Sequence, residues 1–228
     1  MNTRRDEIAE NLNNVRRGIG EAAVAAGRAP SDITLIVVTK TYPASDLEIL
    51  HSLGITDIGE NRDQEARSKY PLVNVELSWH HIGQLQRNKV KSVLTWADVI
   101  HSIDRSDLVM EVGRRAEKHL DIFLQVSLDS DSMGRAGALE SELKHLGDSC
   151  SQFEHLHLQG LMAVAPLRVP AAQAFERLRE IHLKFMLDFP HASALSAGMS
   201  QDYKDAIKFG ATHVRIGSSI LGSRPFVR

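Results

Sequence analysis

A single cysteine, Cys150, stands among the 228 residues. An internal disulfide is thereby excluded, and a reducing compartment is the fitting environment. Close to what reads as a helix end, Cys150 is expected to be a small packing residue rather than a nucleophile. No apolar run approaches the roughly 20 residues that a bilayer-spanning helix needs. The N-terminus is not a signal peptide either: behind Arg4 and Arg5, the residues Ile8, Leu12, Val15 and Ile19 recur at helical spacing with Asn and Glu between them. Charge of one sign is missing as well. The 27 Lys and Arg and 29 Asp and Glu are evenly mixed, which leaves no broad cationic face for nucleic acid or an acidic membrane. The stretch Gln86–Lys91 is basic but has no interleaved aromatics, so it reads as a solvated helix face. Linkers, low-complexity segments and sequence repeats are also lacking.

What is present is a chain whose hydrophobic content, 43%, supplies a sizeable core at a length that α/β barrels reach undivided. A soluble, cytoplasmic monomer of one domain over residues 1–228 is expected, with a helical segment at 1–28 and a barrel at 33–222. Short apolar runs alternate with amphipathic stretches, which implies a parallel sheet covered by helices. Strands are predicted at 33–39, 56–59, 77–83, 98–102, 122–127, 158–164, 192–196 and 213–216. Pro43 and Pro170 sit where a first helical residue is expected, and Gly54, Gly147 and Gly210 where glycine ends a helix. Asp104 and Ser200 are predicted N-caps. Eight such pairs favour a closed (β/α)8 TIM barrel with an extra N-terminal helix over an open doubly wound sheet.

In such barrels the active groups stand at the C-terminal ends of the strands. The first strand, within "LIVVTKTYP", ends in Lys40. An amine delivered against apolar walls loses hydration, which favours the neutral form that attacks aldehydes. The seventh and eighth strands run into Ser196-Ala-Gly-Met-Ser200 and Arg215-Ile-Gly-Ser-Ser219. Each offers glycine for close backbone approach, hydroxyl donors and the N–H groups of a helix start, a combination suited to phosphate. Arg215 should emerge beside the same ligand. Of His80 and His81, adjacent on the third strand, only one can look into the barrel. His155 and His157 share a strand face, but no further ligand type arrives at suitable spacing, so no metal site is expected. A Schiff-base lysine, a phosphate cradle and an arginine together suggest a phosphorylated aldehyde as ligand, which a class I aldolase acting on a sugar phosphate would also satisfy.

The same residues resemble the pyridoxal phosphate homeostasis protein family. The matching signatures are Val38-Thr-Lys40, Ile58-Gly-Glu-Asn61, Trp79-His80 with Ile82-Gly83 and Leu85-Gln86, Gly160-Leu-Met162, Gly198-Met-Ser200 and Val214-Arg-Ile-Gly217, in this order along nearly the whole chain. The resemblance implies a fold-type III barrel, like the N-terminal domain of alanine racemase, that holds pyridoxal 5′-phosphate as a Schiff base on Lys40. It further implies that Arg215 faces the pyridine nitrogen, that Ser200, Gly217 and Ser218 hold the phosphate with Met199 beside them, and that Asn61 and His80 line the ring pocket. Ala197, Ser218 and His81 replace a methionine, a threonine and a phenylalanine frequent in the family. Within Asp129–Arg135, many relatives carry a lysine thought to assist cofactor handling; Arg135 is the nearest basic residue, and it cannot form a Schiff base. The implied role is intracellular cofactor homeostasis without catalytic residues or turnover, with free amino acids and cofactor-dependent apoenzymes as further partners. The alternative is a fold-type III enzyme of the racemase type. Racemases of this fold add a C-terminal β domain whose partner subunit supplies a tyrosine acid/base, whereas this sequence ends at Arg228.

Overall fold

A computed structural model describes residues 3–129 and 137–222. Eight parallel strands close into a barrel in chain order: β1 (Thr34–Val38), β2 (Asp57–Glu60), β3 (Ser78–His81), β4 (Val99–Ile103), β5 (Leu120–Gln125), β6 (Leu156–Met162), β7 (Ala194–Ser196) and β8 (His213–Ile216). Closure is made by β1, which pairs Val37 with Ile58 of β2 and Ile36 with Arg215 of β8. The chain therefore has the expected TIM barrel. Each predicted strand is found: β8 has its predicted bounds, and the ends of the others move by at most two residues.

The helices that cover the barrel are α2 (Ala44–Ser52), α3 (Asp63–Lys69), α4 (Val90–Val93), α5 (Ser106–Arg115), α6 (Leu143–Cys150), α7 (Ala171–Asp188), α8 (Tyr203–Lys208) and α9 (Ser218–Leu221). Before them all comes α1 (Arg4–Ala25), opened by a reciprocal cap in which Thr3 Oγ1 accepts from the Asp6 N–H while Asp6 Oδ2 accepts from the Thr3 N–H. Its apolar stripe Ile8, Leu12, Val15 and Ile19 is buried as the periodicity predicts.

Helix ends depart from the sequence reading in instructive ways. Gly54 (φ +78°) and Gly210 (φ +100°) do terminate α2 and α8 in the left-handed conformation. Gly147 instead lies inside α6, where the Phe189 ring packs so close that a Cβ would collide with it. Pro43 and Pro170 are N-caps, one residue earlier than predicted. Asp104 and Ser200 cap nothing: α5 and α8 start after Arg105 and Asp202. Cys150 ends α6, buried, and burial pushes its thiol up to about 12, which leaves it inert as a nucleophile.

Most of the core lies between barrel and helices, and takes in Val37, Ile58, Trp79, Trp96 and Ile100. Inside the barrel, a smaller group of Val99, Phe123 and Met162 forms a separate apolar floor. Beside these, the interior also carries polar side chains. His80, His101, Ser196 and Arg215 are all buried there, and their bonding ties the barrel wall to the site.

Candidate functional site

A cavity of about 690 Å³ opens at the C-terminal ends of the strands. It is lined by Lys40 just past β1, Asn61 past β2, Met199 and Ser200 past β7, and Arg215, Gly217 and Ser218 at the end of β8. An apolar wall comes from the segment after β6, including Val164, Pro166, Leu167 and Val169, and Tyr42 and Ile82 complete the lining. Seven of the eight residues expected to touch one ligand thus share one cavity, although they come from four separate strand ends. His80 does not join them.

Lys40 is held between residues locked in place beneath it. The buried Lys69 ammonium donates to Thr39 O (2.8 Å), Glu60 Oε1 (2.9 Å) and Glu65 Oε1 (2.6 Å), and Thr39 Oγ1 donates to Glu60 Oε1 at 2.7 Å. The Thr41 N–H donates to Glu65 Oε1 as well. Thr41 has φ +72°, a left-handed conformation that costs a β-branched residue energy and persists only where its surroundings impose it. Burial raises Glu60 above the usual carboxylate range, against the pull of Lys69. The sequence reading missed this network; its one visible signal was the helical spacing of Glu65 and Lys69, four residues apart.

Arg215 is anchored from the opposite side. Its Nη1 donates to Ser196 Oγ at 2.6 Å and its Nη2 to Ala163 O at 2.9 Å. Burial lowers the guanidinium to about 10, so it remains a cation at neutral pH. From Ser196 a directional chain of hydrogen bonds crosses the barrel: Ser196 Oγ to His101 Nδ1 (2.9 Å), His101 Nε2 to His80 Nδ1 (2.9 Å), and His80 Nε2 to Asp57 Oδ1 (3.0 Å). Donation in one direction satisfies every member with both imidazoles neutral, consistent with burial pushing His101 well below the ordinary histidine range. Burial pushes the Asp57 carboxyl up, but hydrogen bonds from His80 and Thr56 outweigh it and leave that carboxyl below its usual range.

His80, expected to line the ring pocket, is thus set apart from the other seven residues. It points into the barrel, as one of the two adjacent histidines must, but it sits below the cavity and reaches it through His101, Ser196 and Arg215. His81 faces outward against Trp96. The other histidine pair also parts company: His155 Nε2 donates to Gly113 O at 2.8 Å, whereas His157 meets His119 and Asp121. Linear spacing concealed that three-residue group, because β5 and β6 bring it together. Arg135 lies outside the described residues.

The serine-glycine loops bring backbone into the cavity. At Gly217 a Cβ would lie 3.0 Å from Val38 O, and at Gly198 (φ +92°) one would lie 2.7 Å from the Ala206 Cβ. In α9 the intrahelical ladder begins at Ile220, whose N–H donates to Gly217 O at 2.9 Å, so the N–H groups of Ser218 and Ser219 precede it. The Met199 N–H is taken by Asp202 Oδ1 at 2.6 Å. Tyr42, buried, donates its hydroxyl to Gly222 O at 2.6 Å.

A closed parallel barrel with a lysine, an arginine and two serine-glycine loops at its C-terminal mouth is the architecture of an alanine racemase N-terminal domain, and that family matches residues 4–225. By its full-length relatives the chain belongs to the pyridoxal phosphate homeostasis proteins. The protein of that name from Mycobacterium tuberculosis is 39% identical, over 97% of this chain and 94% of its own; that of Escherichia coli is 36% identical, over 97% and 98%. Among solved structures, PipY of Synechococcus elongatus with pyridoxal phosphate bound superposes with a TM-score of 0.82 at 32% identity, covering 94% of this chain and all of PipY. Alanine racemase from Corynebacterium glutamicum shares the fold alone, at 12% identity and a TM-score of 0.71.

Proposed function

We propose that this protein binds pyridoxal 5′-phosphate and serves its intracellular homeostasis, with Lys40 as the covalent anchor and without catalytic turnover. The observation that carries the reading is the meeting of Lys40, Arg215 and both serine-glycine loops in one cavity. The residues fit the group: an amine for the aldehyde, a buried cation for the pyridine nitrogen, and a glycine at 217 whose missing Cβ leaves room against Val38 O. Lys40 holds the aldehyde carbon. Ser200, Gly217 and Ser218 take the phosphate with Met199 beside them, and Asn61 lines the ring pocket. His80 acts at one remove, as a positioning residue that keeps His101 and Ser196 oriented toward Arg215. The barrel and α1 act as one cofactor-binding unit, cytoplasmic and monomeric, that exchanges cofactor with apoenzymes and free amino acids.

If the loops hold a dianion, the phosphate supplies much of the affinity. Hydrogen bonds to charged groups contribute roughly 1.5–3 kcal/mol each. Pyridoxal without its phosphate is therefore expected to bind at least about tenfold more weakly in a titration followed by visible absorbance. Equal affinities would contradict the assignment of Ser200, Gly217 and Ser218.

The bound cofactor supplies an electron sink for carbanions, and two features of this chain work against its use. A guanidinium that stays cationic beside the pyridine nitrogen disfavours protonation of that nitrogen and weakens the sink. Of the three tyrosines, Tyr42 is the one in the cavity, and its hydroxyl proton is donated to Gly222 O. A positioned acid or base contributes about 10²- to 10⁴-fold. Cofactor-loaded protein incubated with L-alanine in heavy water is accordingly expected to yield no D-alanine and negligible α-deuterium over many minutes. Turnover near one per second, abolished by Lys40→Ala, would instead establish a racemase-type enzyme.

A further inference from the structure

We propose that His119, Asp121 and His157 form a binding site for a zinc-like divalent cation at the N-terminal end of the barrel, the end opposite the cofactor cavity. His119 and Asp121 lie two residues apart along β5 and its lead-in, which puts both side chains on one face of the strand. His157, on β6, is the in-register partner of Asp121. Two hydrogen-bonded strands of a closed barrel thus fix all three positions. One ligand atom from each lies within 4.8 Å of the other two, and no other group of three such side chains is assembled among the described residues.

The donor chemistry selects the ion. Two imidazoles and one carboxylate form a donor set of catalytic zinc sites, and nitrogen donors favour zinc and its first-row neighbours over magnesium or calcium. His119 Nε2 and His157 Nδ1 are 2.6 Å apart and share one N–H. A tetrahedral zinc with bonds near 2.0–2.1 Å needs its nitrogens about 3.3 Å apart. Rotation of the exposed His119 ring supplies that opening, and a tautomer shift moves the shared proton to the outer nitrogen of its ring, so both facing nitrogens present lone pairs. The Asp121 carboxylate is already oriented, because Gln159 Nε2 donates to its Oδ1 at 2.8 Å, the outer support common behind metal-binding carboxylates. One negative charge and two neutral imidazoles then meet a dication, with water in the remaining coordination positions. Lys118, next in sequence, has its ammonium on Asp98 at 2.9 Å. The bound ion would bridge β5 and β6 and stabilise the native barrel by mass action.

The test uses untagged protein stripped with a chelator and dialysed against zinc chloride, with bound metal measured per chain. One equivalent bound at about 100 μM free zinc is expected, with affinity reduced at least about tenfold in His119→Asn, in His157→Asn and, through loss of support, in Gln159→Ala. Cofactor absorbance at the far end of the barrel should be unchanged in all three, and circular dichroism reports their folding. Nitrogen-detected imidazole spectra of the unsubstituted protein give a readout independent of any variant: His119 Nε2 and His157 Nδ1 should shift on addition of zinc, and the other histidines should not. Absence of saturable binding, binding unaffected by both histidine substitutions, or zinc-induced shifts confined to other histidines would overturn the proposal.

Discussion

Lys40→Ala is expected to abolish covalent retention of pyridoxal phosphate. Borohydride reduction of the cofactor-loaded protein should fix close to one equivalent per chain, with the mass increment on Lys40, and the alanine variant should retain only background label. The informative competitor is Lys69, the other lysine near the cavity floor. Its ammonium donates three hydrogen bonds, to Thr39 O, Glu60 and Glu65, which is the full number it possesses. A fully donating ammonium has no lone pair for a carbonyl carbon, whereas Lys40 lines the open cavity. Label found mainly on Lys69, or undiminished in Lys40→Ala, would remove the basis for the proposed function.

Lys69→Met is expected to cost the fold itself a large part of its stability. The substitution keeps the aliphatic stem and deletes the cation between Glu60, whose side chain is 0% exposed, and Glu65. Breaking a buried pair by removing one partner typically costs about 3–5 kcal/mol, because an uncompensated charge stays behind. Urea denaturation should report a loss of that size at neutral pH. The sign with pH follows from Glu60, already raised by burial: without Lys69 its folded-state value rises further above the unfolded value of about 4.3. The folded variant then binds more protons than its unfolded chain between those two values, so its deficit is smallest below about pH 4 and grows as pH rises through the folded value. Glu60→Gln added to Lys69→Met should recover part of the loss. A deficit under about 1 kcal/mol that ignores pH would show that the pair is not the strut described above.

The barrel was legible in the sequence because its signals are local. A run such as Leu35-Ile-Val-Val-Thr39 has the composition of a strand buried on both faces, and the rule that barrel chemistry gathers at strand ends led to Lys40 and the two serine-glycine loops. The failures share a different cause. Gly147 looked like a helix terminator because glycine usually is one, and only the fold discloses the Phe189 ring that occupies the space of its side chain. Asp104 and Ser200 had capping chemistry at a plausible position, but a one- or two-residue shift in helix start leaves such a residue outside the cap. His80 was assigned to the cavity from a shared motif; its depth along β3 and its partners on β2 and β4 are facts of register, which a single strand does not carry. The same holds for His119, Asp121 and His157, separated along the chain and joined by strand pairing.

The way α1 is fastened has a consequence for the order of assembly. Arg4 donates to Leu221 O and Asn11 to Ile220 O, both in the short helix that follows the glycine-serine turn of β8. Arg4 also grips Asp46 at the start of α2. The opening helix is thus completed by residues more than two hundred positions downstream, a contact of very high sequence separation that a growing chain makes last. Until β8 and α9 have been synthesised, α1 lacks its final docking surface and the cavity lacks Arg215, Gly217 and Ser218. A nascent or truncated chain would expose Lys40 without the groups around it, so the cofactor site proposed there is complete only once the ring of strands has closed.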